Sequence, residues 1–166
     1  MSEPSEDAVL FASELVLARS QEMFINQSNR IEGIHRAATE DEILAHREFW
    51  DGPLTVQAIE KFVRQIAGAS LRYRRGMDVR VGGHTPARGG PLVVDGLIRL
   101  VEQMKRRELD PWQAHLQYEI LHPFMDGNGR SGRAIWAWMM TDQGHNPFGL
   151  DFLHRFYYQT LDHQRS

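Results

Sequence analysis

His122-Pro123-Phe124-Met125-Asp126-Gly127-Asn128-Gly129-Arg130-Ser131-Gly132-Arg133 is the stretch on which the fold turns. Gly127, Gly129 and Gly132 have G-x-G-x-x-G spacing, the fingerprint of a dinucleotide-binding turn when a strand precedes it. Here a helical pattern from Trp112 to Leu121 precedes it, so the βαβ reading fails. The phosphate-loop pattern G-x-x-x-x-G-K-[ST] does not occur either. Pro123 helps end the first helix. A second helix follows Gly127-Asn128-Gly129 and carries Ala134, Ile135, Trp136, Ala137, Trp138, Met139 and Met140. Apolar nearly all round, it is expected to be the central buried helix, and Gly144 and Asn146-Pro147 stop it.

The same turn is built for an anion. Glycines let successive backbone N–H groups turn inward as a nest. The helix that the turn opens adds free donors and partial positive charge. Arg130 and Arg133, three apart, occupy neighbouring positions of one helical face. Their side chains lean back toward the helix start, which suits a polyphosphate. Asp126 stands at the mouth of the loop, and a lone carboxylate beside phosphates points to Mg²⁺, which takes few protein ligands. His122, across the turn, is placed to accept a proton near neutral pH.

Outward from this loop the chain reads as helical. Ser5 is expected to cap a helix through Leu10, Phe11, Leu15 and Val16 toward Phe24, with a second helical piece from Ser28 to Arg36. Thr39 precedes a helix ending near Trp50, and Thr55 starts one with Val56, Ile59, Phe62, Val63 and Ile66 on a stripe. Leu92, Val93, Leu97, Leu100, Val101 and Met104 mark another. Asp110-Pro111 starts the helix before the loop, with Trp112, Leu116, Ile120 and Tyr118 expected inward. Leu150, Phe152, Leu153, Phe156, Tyr157 and Leu161 mark a last helix. Only residues 76–91 break the pattern: Val79 and Val81 alternate with polar neighbours and favour a strand, and glycines and Pro86 make turns. This segment is expected to be a short strand or hairpin with an exposed loop, longer than most connectors.

Composition narrows the class. The 166 residues suit one domain with a real core. A formal charge of −3 gives no global field for nucleic acid. The basic runs Arg72-Tyr73-Arg74-Arg75 and Lys105-Arg106-Arg107 read as solvated faces or helix C-termini. Absence of cysteine excludes disulfides and thiolate chemistry and fits a reducing compartment. No apolar run approaches a membrane span. The acidic start is unlike a secretory signal, so a cytoplasmic location is expected, with no membrane partner.

Residues 122–133 closely resemble the signature of the Fic family, H-P-F-x-[DE]-G-N-G-R-x-x-R, at every fixed position. Val79-Arg80-Val81-Gly82-Gly83-His84-Thr85-Pro86 looks like the family's flap, and residues 155–161 look like its last core helix. The resemblance implies an all-α fold, a Fic-type helical core with a small β-hairpin flap. It divides the chain into an N-terminal helical extension, 1–27, and a core, 28–166, with the flap at about 76–91. It implies transfer of AMP from ATP to a Ser, Thr or Tyr hydroxyl of an unidentified target protein. His122 would be the general base and Asp126 the Mg²⁺ ligand. Gly127, Asn128, Gly129, Arg130, Ser131, Gly132 and Arg133 would bind the ATP phosphates, and Phe124 would anchor the loop in the core. Val81, Gly82, Gly83 and His84 would border the nucleotide and pin the target as an added strand. Tyr157 and Tyr158 would lie near adenine or ribose.

Ser28-Asn29-Arg30-Ile31-Glu32-Gly33 is similar to the family's inhibitory motif, [ST]-x-x-x-E-[GN]. By that resemblance Ser28, Glu32 and Gly33 form a brake in which Glu32 pairs with Arg133. A carboxylate occupies a guanidinium bidentately, as a phosphate does. Relief would come from a target, a metal, a change of self-association or automodification. Two other readings use the same residues: removal of AMP from a modified target with Glu32 orienting water, and a nucleotide-binding regulator without turnover.

Overall fold

The computed structural model describes residues 6–68, 73–75 and 89–149. Helices α1 (Glu6–Ile31), α2 (Glu40–Asp51), α3 (Val56–Ala67), α4 (Pro91–Lys105), α5 (Pro111–Leu121) and α6 (Asn128–Asp142) make up the described fold. Among the described residues the only β-pairing is an isolated antiparallel bridge between Tyr73 and Phe124. The described fold is therefore all-α. The expected strand at 77–81, with its flap, and the expected last helix from Leu150 lie outside the described residues. None of the described helices is long and apolar enough to cross a membrane. The described residues fall into two compact units, one within residues 39–147 and one made of residues 6–38 with 148–149.

In the larger unit, side chains fix where the helices start. The Thr39 hydroxyl accepts the Glu42 N–H at 3.2 Å, while the Glu42 carboxylate accepts the Thr39 N–H at 2.8 Å. Thr55 accepts the Ala58 N–H at 3.0 Å. Asp110 accepts the N–H groups of Trp112 and Gln113, both at 2.9 Å, with Pro111 in the first turn. Each such cap stabilises its helix by about 1 kcal/mol. The helices then bury one core. Phe49, Leu54, Ile59, Phe62 and Ile66 come from α2, α3 and their connection, Leu97, Val101 and Met104 from α4, and Ala134, Ile135 and Met139 from α6. As its all-round apolarity requires, α6 packs against α2, α3 and α5.

The inward face of α5 differs from the expected one. Pro111, Ala114, His115, Tyr118 and Glu119 are buried, whereas Ile120 is 45% exposed. Trp112 and Leu116 are only half-buried. The reason is the partner: α5 lies against the first turns of α6, which carry Ser131, Gly132 and Arg133, so polar α5 residues turn inward. The helices meet closely at Gly132, where a Cβ would stand 2.5 Å from Glu119 Oε1 and 3.1 Å from His115 Cε1 and Tyr118 Cδ1.

The smaller unit also corrects the sequence reading. One continuous helix, α1, replaces the two pieces expected on either side of residues 25–27, and it ends at Ile31, not Arg36. Nothing in Ile25-Asn26-Gln27 is a breaker, and Phe24 and Ile25 are buried. Phe24 meets Phe148 edge-on with ring centroids 5.6 Å apart. The end is set by Gly33, whose φ of +77° favours glycine. Its N–H donates to the Arg30 carbonyl and the Ile34 N–H to the Asn29 carbonyl, both at 3.0 Å. That pair of bonds is a Schellman cap, with Glu32 as the capping residue just before the glycine.

The α5–α6 contact yields a test. Gly132→Ala forces three buried neighbours apart, an overpacking that costs about 1–3 kcal/mol. A lowered melting temperature is the expected outcome in thermal denaturation.

Candidate functional site

Residues 122–127 form a tight connection between α5 and α6, and residues 128–133 are the first turns of α6. His122 closes α5 in the left-handed conformation, φ 46° and ψ 63°, and its N–H donates to the Tyr118 carbonyl at 2.9 Å. Phe124 then plunges into the core. Asn128 staples the loop to itself: its Oδ1 accepts the Phe124 N–H at 2.9 Å and its Nδ2 donates to the Phe124 carbonyl at 2.8 Å. Gly127 has φ +80°, and a Cβ there would meet Ala67 Cβ at 3.1 Å and Val63 Cγ1 at 3.3 Å. Glycine is thus required twice, for its backbone angle and for its approach to α3.

The start of α6 differs from those of α2, α3 and α5. Gly127 is its N-cap, and no side chain caps it. An uncapped N-terminus presents donors and partial positive charge to an anion. Asp126 is exposed, and its Oδ1 accepts the Gly127 N–H at 2.6 Å. A single exposed carboxylate beside an anion-binding turn fits Mg²⁺, which draws most of its ligands from phosphate and water. Among the described residues no group of three or more His, Cys, Asp or Glu is placed to hold a metal by itself.

Arg130 and Arg133 are both buried. Arg130 is committed within the fold: its Nη1 donates to the Ile66 carbonyl at 2.8 Å and lies 3.9 Å from Glu42 Oε1. It thereby meets a carbonyl at the C-terminal end of α3, the negative end of the helix dipole. Ser131 donates to the Gly127 carbonyl at 2.7 Å, and its oxygen lies 2.7 Å from the Tyr118 hydroxyl. Burial pushes the Tyr118 hydroxyl well above its ordinary value, so it stays protonated and donates to Ser131. A line of hydrogen bonds therefore runs from α5 through Ser131 to the glycine turn.

Two histidines that the sequence reading passed over lie beside the arginines. Burial holds both His46, on α2, and His115, on α5, at about 4, below the ordinary 6.5. The positive charge of Arg133 pushes both in the same direction, and Arg130 adds to the effect at His46. Hydrogen bonds to the Glu42 carbonyl and to the Gly132 backbone oppose the shift without reversing it. Both rings are neutral at pH 7, so they pack beside the guanidinium groups without charge repulsion.

Arg74 was also missed. The run Arg72-Tyr73-Arg74-Arg75 reads as solvated, yet Arg74 is fully buried, at 0% exposure. Its guanidinium reaches the carbonyls that end α5, because the Tyr73–Phe124 bridge lays residues 73–75 along the loop. By contrast Lys105, Arg106 and Arg107 are exposed at the end of α4, as expected. Glu42, three residues after Thr39, completes a capping box with it, and its carboxylate also stands near Arg130. Val81, Gly82, Gly83, His84, Tyr157 and Tyr158 lie outside the described residues. Ser28, Glu32 and Gly33 belong to the smaller unit, where Ser28 is buried and Glu32 exposed. A groove of about 720 Å³ between α4 and α5 is lined by residues such as Gly96, Leu100, Gln103, Ile120 and Leu121. None of residues 122–133 lines it.

The histidines predict an acid-sensitive fold. Unfolded, each takes up a proton as pH falls through 6.5; folded, each resists until about 4. The unfolded chain therefore binds more protons across that window, and stability falls as pH drops. From pH 7 to 5 the loss should be about 2 kcal/mol per histidine. Urea unfolding at both pH values should register it, with a shallower pH dependence in His46→Gln.

Comparison with known protein families agrees with this arrangement. A family model described as Fic/DOC matches residues 25–140, which include the whole of the 122–133 loop. The match covers more than half of the chain, and the chain belongs to the Fic/DOC family.

Proposed function

We propose that this chain is a protein adenylyltransferase, which transfers AMP from ATP to a Ser, Thr or Tyr hydroxyl of a target protein. The observation that carries the reading is the complete 122–133 motif at an uncapped helix N-terminus, with His122 held at the end of the preceding helix. A phosphate chain suits the donors of the Gly127–Gly129 turn and the start of α6. Family membership supports transfer of part of a nucleotide.

In this mechanism His122 accepts the proton of the target hydroxyl as its oxygen attacks the α-phosphorus. The bond from that phosphorus to the bridging oxygen breaks, and pyrophosphate leaves. Asp126 would hold Mg²⁺, which offsets negative charge on the phosphates when bound. The turn fixes the phosphate oxygens by orientation rather than by covalent chemistry, and Ser131, buried and bonded to the Gly127 carbonyl, braces that turn from behind rather than touching phosphate. Arg133 engages the terminal phosphates. Arg130, tied to Ile66, holds the first turn of α6 in place and adds positive charge nearby. Residues 81–84 align the target segment, and Tyr157 and Tyr158 border the adenosine.

Glu32 is the brake in this reading. Its carboxylate competes with phosphate for Arg133 and leaves ATP in an unreactive pose. The helix-ending cap around Gly33 supports the assignment, since it fixes the backbone on which Glu32 stands. Cytoplasmic action and regulation by self-association belong to the same proposal.

Incubation with labelled ATP and Mg²⁺ tests it. Glu32→Gly should label itself, or protein in a lysate, more strongly than the parent. Adding His122→Ala should lower the rate by about 10²–10⁴-fold, the usual contribution of a general base. Equal labelling by Glu32→Gly and the parent refutes the brake. Equal labelling with and without His122 refutes the mechanism.

A further inference from the structure

We infer that Arg74 is a positioning residue for His122, an assignment that rests on the proposed role of His122 as base. Three consecutive carbonyls at the end of α5 converge on this one residue. Its Nη2 donates to the Leu121 carbonyl and its Nε to the His122 carbonyl, each at 2.9 Å. Its backbone N–H donates to the Pro123 carbonyl, also at 2.9 Å. The last carbonyls of a helix have no partner within the helix, and here a buried guanidinium serves two of them.

The need is local. His122 is one of only two non-glycine residues with positive φ among the described residues. A side-chain-bearing residue is disfavoured in that conformation, because its Cβ crowds the following carbonyl oxygen. Without an outside hold, the backbone at 122 would relax toward an ordinary helical or extended angle and swing the imidazole away. Arg74 supplies the hold in planar form, since the guanidinium presents Nε and Nη2 in a fixed fork. Lysine offers one mobile ammonium and cannot grip both carbonyls with the same geometry.

The anchor of Arg74 is rigid too. Tyr73 pairs with Phe124 across the bridge, and their rings lie 4.9 Å apart. The Tyr73 hydroxyl donates to Glu60 on α3. The Arg74 carbonyl accepts the Gly90 N–H at 2.7 Å. Residues 74 and 90 flank the segment proposed to dock the target. Arg74 is thereby tied both to the loop and to the residue that precedes α4.

Arg74→Lys, made in the Glu32→Gly background, tests the inference. Misplacing the base should lower kcat by about tenfold to a hundredfold, while KM for ATP, set by the turn and α6, changes less than about threefold. The His122 ring signal in a ¹H–¹³C NMR spectrum, assigned with His122→Ala, should move, while those of His46 and His115 stay. The amide of His122 should exchange with solvent faster than in the parent. An unchanged kcat, or an unmoved His122 signal with unchanged amide exchange, overturns the inference. If Glu32→Gly itself shows no transfer at all, the adenylyltransferase reading fails on its own, and the NMR result still decides whether Arg74 holds His122.

Discussion

Two guanidinium groups are buried in the opening turns of the central helix, and the surrounding unit is organised around that constraint. A charge taken out of water is tolerated only where dipoles or opposite charges meet it. Arg130 finds the Ile66 carbonyl at the end of α3 and the nearby Glu42 carboxylate. Glu42 in turn starts α2 through Thr39, so one carboxylate fixes a helix and stands beside a buried cation. The two neighbouring histidines shed their protons instead of adding positive charge. The same demand accounts for α5, which turns His115 and Glu119 inward and leaves Ile120 in solvent.

The connection between α5 and α6 takes backbone angles that ordinary residues avoid, and it distributes the cost. Gly127 takes its left-handed angle freely. His122 cannot, and is fastened from behind by Arg74. Asn128 closes the loop on itself with two bonds to one residue. Both side-chain devices are hydrogen bonds to backbone groups, Arg74 at the end of α5 and Asn128 within the connection. The proposed anion binding and the stiffness of the loop draw on the same source, the polar groups exposed where α5 stops and α6 begins.

Much of this was legible in the sequence because it is local. Thr39, Thr55 and Asp110 announce their helices by cap chemistry, and Pro123 and Gly127 mark the turn. The twelve-residue motif identifies the loop. What sequence reading missed is long-range. Arg74 grips carbonyls 47 and 48 residues away, and no spacing rule connects them, so a basic run looked solvated. On α5, apolar periodicity pointed to Ile120, because hydrophobicity does not register a polar interior built to accompany arginines. The two pieces expected at the N-terminus are one helix because the polar residues near Gln27 are compatible with helix, and Ser28 and Asn29 are buried.

That continuity has a mechanical meaning. At 1.5 Å per residue, the 26 residues of α1 form a rod about 39 Å long. Val9, Leu10, Phe11, Leu15 and Val16 lie exposed along its first half, and the Ser28–Gly33 segment closes its other end. A helix without glycine or proline in its interior has no hinge at which to absorb displacement. Tilt or rotation imposed on the apolar half is delivered to the backbone of Glu32 as a lever delivers motion, over a distance that a broken pair of helices would not span.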